Sequence, residues 1–387
     1  MEVSWCSAGL LFASLLLSSA SASQADRLFR TSAQASAPSV QLVNERPIIG
    51  VLSQPGSPAP KGYSYIAASY VKFIESSGGR VIPIEYDLPV HELKRRFEII
   101  NGVLIPGGAQ ALSPHHPFYD AVAVFVDLAK QAFDKGDYFP IHGTCLGFEA
   151  LAIVAANNAS VLTEFDADNF AGPLNLTEAA HGSRLFSSMP QHVVKALQEQ
   201  TVAMQNHAHG VGPKAFEEHK ALRDEYRVLS LNTDRRGQVY VSTMESPDYP
   251  ITAVQWHPEK NTFEWSAANH LHIPHSPMAI EVQRAFADFF ISEARKNFHA
   301  PADNEEEDAL LIYNNKRIFT GKHHFEGEET DFDECFIFPE RKAAALDQSV
   351  QDCFSLPFSR RAQRSVLHGI ASSFADVASF PARLFGR

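Results

Sequence analysis

Short apolar runs of strand length and longer stretches with helical spacing take turns along the first half of this chain. That alternation restricts the fold more than any other feature. Residues 47–53 read as a buried strand that ends in turn residues. Ile66, Tyr70, Phe73 and Ile74 fall on one face of a helix predicted over 66–76, which Gly78-Gly79 stops. Strands are predicted at 80–86, 102–105 and 138–142, with helices at 89–97 and 117–133 between them. Alternation with short connections specifies the α/β class: a mostly parallel central sheet with helices on both faces. Ligands in such sheets bind at the carboxyl ends of the strands. The rule directs attention to Pro106-Gly107-Gly108 and to the segment around Cys145. The second half is richer in strands, predicted at 202–205, 226–232, 238–244 and 251–256, and a helix over 277–296 closes it. The acidic run 304–308 reads as a solvated loop.

Around Cys145 a strand ends, glycines stand at Gly143 and Gly147, and a helix over 146–156 starts at once. This is the cysteine form of the G-x-S-x-G nucleophile elbow, a tight turn that needs small neighbours. At a helix N-terminus the dipole and free N–H groups favour a thiolate, so the thiol pKa is expected to fall. The N–H of Leu146 is expected to point where a tetrahedral oxyanion would form. A cysteine also needs an acid–base partner. His257 follows a predicted strand, and Glu259, two residues on, can orient its ring.

These two segments together resemble the class I glutamine amidotransferase-like superfamily, whose fold is flavodoxin-like, and within it the γ-glutamyl hydrolases (folate polyglutamate hydrolases). The segments GDYFPIHGTCLGFE, SYIAASYVKFIESSGGRVIP, NGVLIPGG, STMESPDYPITAVQWHPEKNTFEW and FFISEARKN carry the resemblance, which runs over about residues 46–338. It implies hydrolysis of γ-glutamyl amide bonds in folate or antifolate poly-γ-glutamates through a thioester. Cys145 would be the nucleophile, His257 the proton carrier and Glu259 the third member of a triad. It also implies Gly108 as second oxyanion donor and His207 as an active-site histidine, and it needs no metal or cofactor. His270, His272 and His275 lack a recognised ligand spacing and read as loop histidines. Two rival functions are a glutaminase-type amidotransferase subunit and a non-catalytic γ-glutamyl or folate binder.

Apolar residues make up 45% of the 387 residues and charged residues 20%, enough apolar content for a large core without disulfides. The formal charge of −12 argues against a nucleic-acid partner, because phosphate binding needs a basic face. Residues 1–22 read as a signal peptide, too short to anchor the chain by crossing a bilayer, and no later stretch predicts membrane insertion. A lead-in rich in Ser, Ala and Gln covers residues 23–45. Sequons at Asn158 and Asn175 fit a secretory destination, either the vacuole or lysosome or the cell exterior. Cys335 and Cys353 could pair in an oxidising compartment. The catalytic domain is expected over 46–338, and 339–387 is a basic extension with an amphipathic helical stripe at Val366, Ile370, Phe374 and Val377. The oligomeric state, a homodimer included, is left open by the sequence.

Overall fold

The computed structural model describes residues 43–265, 271–321 and 330–341. The signal peptide, most of the lead-in, His270, Cys353 and the amphipathic stripe lie outside the described residues. In chain order the strands begin with β1 (Ile48–Leu52), β2 (Gln54–Pro55), β3 (Tyr63–Ala67), β4 (Arg80–Ile84) and β5 (Val103–Ile105). Next come β6 (Ile141–Thr144), β7 (Leu162–Gly172), β8 (Asn175–Leu176), β9 (Ala203–Val211) and β10 (Arg227–Thr233). The last are β11 (Val239–Glu245), β12 (Ile251–Val254), β13 (Arg317–Phe319) and β14 (Glu334–Pro339). The principal helices are α1 (Ala68–Glu75), α2 (Val90–Phe97), α3 (Pro117–Phe133), α4 (Leu146–Ala156), α5 (Gln191–Glu199), α6 (Pro277–Ala294) and α7 (Asn304–Leu310).

Eight strands form the central sheet in the order β4-β1-β5-β6-β12-β11-β10-β8. The pairs from β4 to β12 are parallel, and β11, β10 and β8 extend the sheet antiparallel. A parallel strand with both faces covered reads as a continuous apolar run, and β1 (IIGVL) is buried throughout. Alternate residues serve opposite faces. Ile48, Leu52, Ile82, Val103 and Ile105 pack with Leu93, Phe97, Phe118, Phe125 and Leu151 of α2, α3 and α4. Ile49, Val51, Val81, Leu104 and Val254 pack with Phe73, Ile74, Val193, Leu197, Phe286 and Phe290 of α1, α5 and α6. The sequence-based fold class therefore describes the molecule.

A four-stranded sheet in the order β13-β14-β3-β2 and a long antiparallel pair β7–β9 were not legible in the sequence. The helix expected from residue 66 starts at Ala68, because Ile66 and Ala67 pair with Phe336 and Cys335 of β14. The acidic run expected as a solvated loop is helix α7. Asp303 caps it by accepting from the Glu306 N–H at 2.8 Å, and first-turn carboxylates suit the helix dipole. Glu306 then pairs with Arg95, and Glu307 with Arg46 and Arg80.

Candidate active site

Cys145 stands between β6 and α4 with φ 51° and ψ −106°, a conformation a non-glycine residue holds only when its surroundings impose it. They do so through close backbone contact. A methyl group on Gly147 would lie 2.2 Å from the Ile105 carbonyl oxygen, and one on Gly143 would lie 2.8 Å from Gly147. Only glycines let α4 sit this close to the ends of β5 and β6. Hydrogen bonds from Cys145 N to Val254 O (2.8 Å) and from Glu149 N to Cys145 O (3.0 Å) complete the elbow.

His257 follows β12, and its backbone N–H donates to Met204 O at 2.8 Å. Its Nδ1 lies 2.8 Å from Glu259 Oε1, with both side chains buried. A carboxylate oxygen accepts, so Nδ1 carries a proton and Nε2 is the ring nitrogen left to exchange one. That Nε2 is buried and has no partner among the described residues. A methyl group on Gly107 would lie 2.7 Å from His257 Cε1 and 3.1 Å from Cys145 Cβ, so the two side chains border the same turn.

The turn after β5 is pinned on both sides. Gly107 N–H donates to the Tyr70 hydroxyl at 2.8 Å, and Gly107 O accepts from Gln54 Nε2 at 2.6 Å. In a trans peptide the N–H points opposite to the preceding carbonyl. Holding Gly107 O therefore aims the Gly108 N–H away from Gln54. A side chain at Gly108 would collide with Gln54, its Cβ 1.7 Å from Oε1. On the far side, the Leu146 N–H faces the Cys145 sulfur.

The electrostatics differ from the expectation of a lowered thiol pKa. Burial pushes the Cys145 thiol well up, the nearby Glu149 and Glu259 push it further, and the Leu146 N–H and Lys260 oppose them. Desolvation and two carboxylates outweigh the helix terminus, so the resting sulfur is a neutral thiol. Burial also raises Glu149 to about 7, partly offset by the hydrogen bond from Gln255. His207, on β9, is lowered by burial to about 3 and is neutral. Its Nδ1 donates to His209 O at 2.7 Å, and its Nε2 is a bare, buried acceptor.

One cavity of about 670 Å³ is lined by Gly108, Cys145, Leu146, His207 and His257, and Glu259 stands behind His257. The candidate residues therefore assemble. The wall also includes Tyr65, Glu149, Asn206, Lys260, Asp331 and Phe332, which sequence reasoning did not single out. Glu149 carried a legible signal, lying one helical turn from Cys145. Lys260 lies 4.5 Å over the Phe332 ring, and Asn206 donates to Asp331 at 2.9 Å, so the C-terminal segment is part of the wall.

Other candidates are occupied elsewhere. His272 bonds to Asn169, and His275 bonds to Asn261 O and stacks on Trp265. Asn158 and Asn175 are both exposed. Cys335 is fully buried in β14 and accepts from Thr320 Oγ1 at 3.7 Å.

The sequence matches the peptidase C26 family over residues 47–259, more than half of the chain. The chain belongs to that family. Its relatives are γ-glutamyl hydrolases. That of Mus musculus is 43% identical over 72% of this chain and 87% of its own length. That of Homo sapiens is 38% identical over 76% and 90%, and γ-glutamyl hydrolase 1 of Arabidopsis thaliana 36% identical over 78% and 85%. The elbow, the His257–Glu259 pair and the Gly107-Gly108 turn all belong to the matched peptidase C26 span or its last residue.

Proposed function

We propose that this peptidase C26 chain hydrolyses γ-glutamyl amide bonds in folate poly-γ-glutamates, with Cys145 as nucleophile and His257 as acid–base partner. The observation that supports the reading most directly is that an elbow thiol and a Glu259-oriented imidazole border the same pinned glycine turn. The resting sulfur is a neutral thiol, so attack is concerted with proton transfer. The sulfur adds to the γ-carbonyl carbon as its proton passes to His257 Nε2. The Gly108 and Leu146 N–H groups receive the oxyanion. The imidazolium, held through Nδ1 by Glu259, then protonates the leaving α-amine, and the C–N bond breaks to give a thioester. In the second half His257 takes a proton from water, which attacks the thioester and frees the thiol. The bare Nε2 of His207 accepts a hydrogen bond from that water. An N-terminal leader and the sequons at Asn158 and Asn175 support delivery through the secretory route to a vacuole, a lysosome or the exterior.

Mass spectrometry of the products from folate pentaglutamate tests the reading. Wild type should release glutamate or shorter γ-linked chains, leave α-linked polyglutamate intact and free little ammonia from glutamine. Cys145→Ala and His257→Ala should each lose at least about 1,000-fold in kcat while remaining folded, because members of one catalytic unit fail together. Activity of Cys145→Ala within a few fold of wild type would end the mechanism.

A further inference from the structure

We propose that Tyr70 is a positioning residue for this hydrolysis: its buried hydroxyl ties the Gly107-Gly108 turn to the Glu259–His257 pair and holds both in register with Cys145. The proposal rests on the assignment of Cys145 and His257 above. Tyr70 is the third residue of α1 and 1% exposed, and its helical spacing with Phe73 and Ile74 reads as core packing. Its hydroxyl does something packing does not require. It accepts the Gly107 N–H at 2.8 Å, in the turn that His257 and Cys145 both border.

A hydroxyl that has accepted one hydrogen bond still has a proton to place. Glu259 stands close enough to the Tyr70 hydroxyl to raise its pKa, and Glu259 Oε2 is buried with no hydrogen-bond partner among the described residues. Burial, then Glu259 and Cys145, raise the phenol well above its ordinary value, so it stays a donor at any working pH. One oxygen atom thus holds the turn after β5 and lies beside the carboxylate of the segment after β12. Gly107 has no side chain to restrict its backbone, and Gln54 fixes only the carbonyl end of the residue. Tyr70 fixes the N–H end. Without it the Gly108 N–H loses its aim, and the Glu259 carboxylate behind His257 loses the hydroxyl beside it. Both deficits bear on the transition state, where the oxyanion and imidazolium form, and not on the bound substrate.

Tyr70→Phe keeps the ring and removes the oxygen. Turnover of folate pentaglutamate by the full chain is measured with active sites counted by stoichiometric alkylation of Cys145, so that misfolded protein does not enter kcat. The expected result is a kcat lower by roughly 10- to 100-fold, the scale of a buried donor left unpaired, with KM within about twofold of wild type. An unchanged kcat per titrated site overturns the proposal, and so does a loss confined to KM. Cys145→Ala, assayed in parallel, separates the two ideas. If that variant turns over, the catalytic assignment itself falls. If it is inert while Tyr70→Phe matches wild type, only the role of Tyr70 falls.

Discussion

At Cys145 two local influences compete, and burial settles the contest. A helix N-terminus favours a thiolate by about 1 kcal/mol at an exposed site. Here Cys145 is 5% exposed and feels the charges of Glu149 and Glu259, and its pKa rises instead. Of the two carboxylates, Glu149 gives the site a pH dependence that can be read from outside. Its carboxyl, raised by burial to about 7, is neutral in acid and ionises as the pH passes that value. The ionised form repels both the thiolate and the oxyanion, so it opposes the reaction. The kcat/KM profile should therefore fall on its alkaline side with an apparent pKa near that value. Glu149→Gln, which keeps an acceptor for Gln255, should flatten that limb. A wild-type profile that stays level to pH 9 would contradict this account.

Among the elements, the β6–α4 elbow shows what a sequence can reveal and what it cannot. Gly143, Cys145 and Gly147 are neighbours in the chain, and the constraint that joins them is local, so their spacing alone located the site. The physical reason is visible only in three dimensions: Gly147 touches the Ile105 carbonyl of another strand. Two effects of Gly147→Ala oppose each other. Helix propensity favours alanine by about 1 kcal/mol. Overpacking costs about 1–3 kcal/mol, and it wins because the obstructing atom is backbone and cannot turn aside. The variant should melt several degrees lower and lose activity as the elbow shifts, and an unchanged melting curve would refute the packing argument. The residues that sequence reasoning missed share one property. Tyr70, Asn206 and Asp331 act through partners far along the chain, and Ile66 became strand because of β14. Helical spacing reported the apolar side of Tyr70 and was silent about its hydroxyl.

On the scale of the whole molecule, the C-terminal part divides into a segment that builds the site and a basic remainder. Strand β14 lies between β13 and β3, so it is an interior strand of the smaller sheet. Phe332, Cys335, Phe336 and Phe338 are buried with the core on the α1 face, and Asp331 and Phe332 wall the cavity. The backbone stays tied beyond residue 338. Pro339 pairs with Tyr63, Glu340 N donates to Gly62 O at 2.9 Å, its carboxylate accepts from the Tyr86 hydroxyl, and Arg341 N donates to Asp87 at 2.8 Å. The tied backbone therefore reaches at least Arg341, three residues past the expected boundary at 338. Residues 342–387 carry Lys342, Arg360, Arg361, Arg364, Arg383 and Arg387 against Asp347, Asp352 and Asp376, a basic stretch within a chain of net charge −12, and all the proposed catalytic groups lie upstream of them. Removing a terminus that contributes no group to the chemistry should leave it intact. A chain ending at Arg341 should keep wild-type kcat and melt within a few degrees of the full chain. A chain ending at Thr320 should lose both, because the small sheet loses its second interior strand and the cavity loses a wall. Activity and thermal melting of the two truncations decide the matter. If the chain ending at Arg341 is insoluble or inert, the basic remainder is a packed part of the fold and its role is structural.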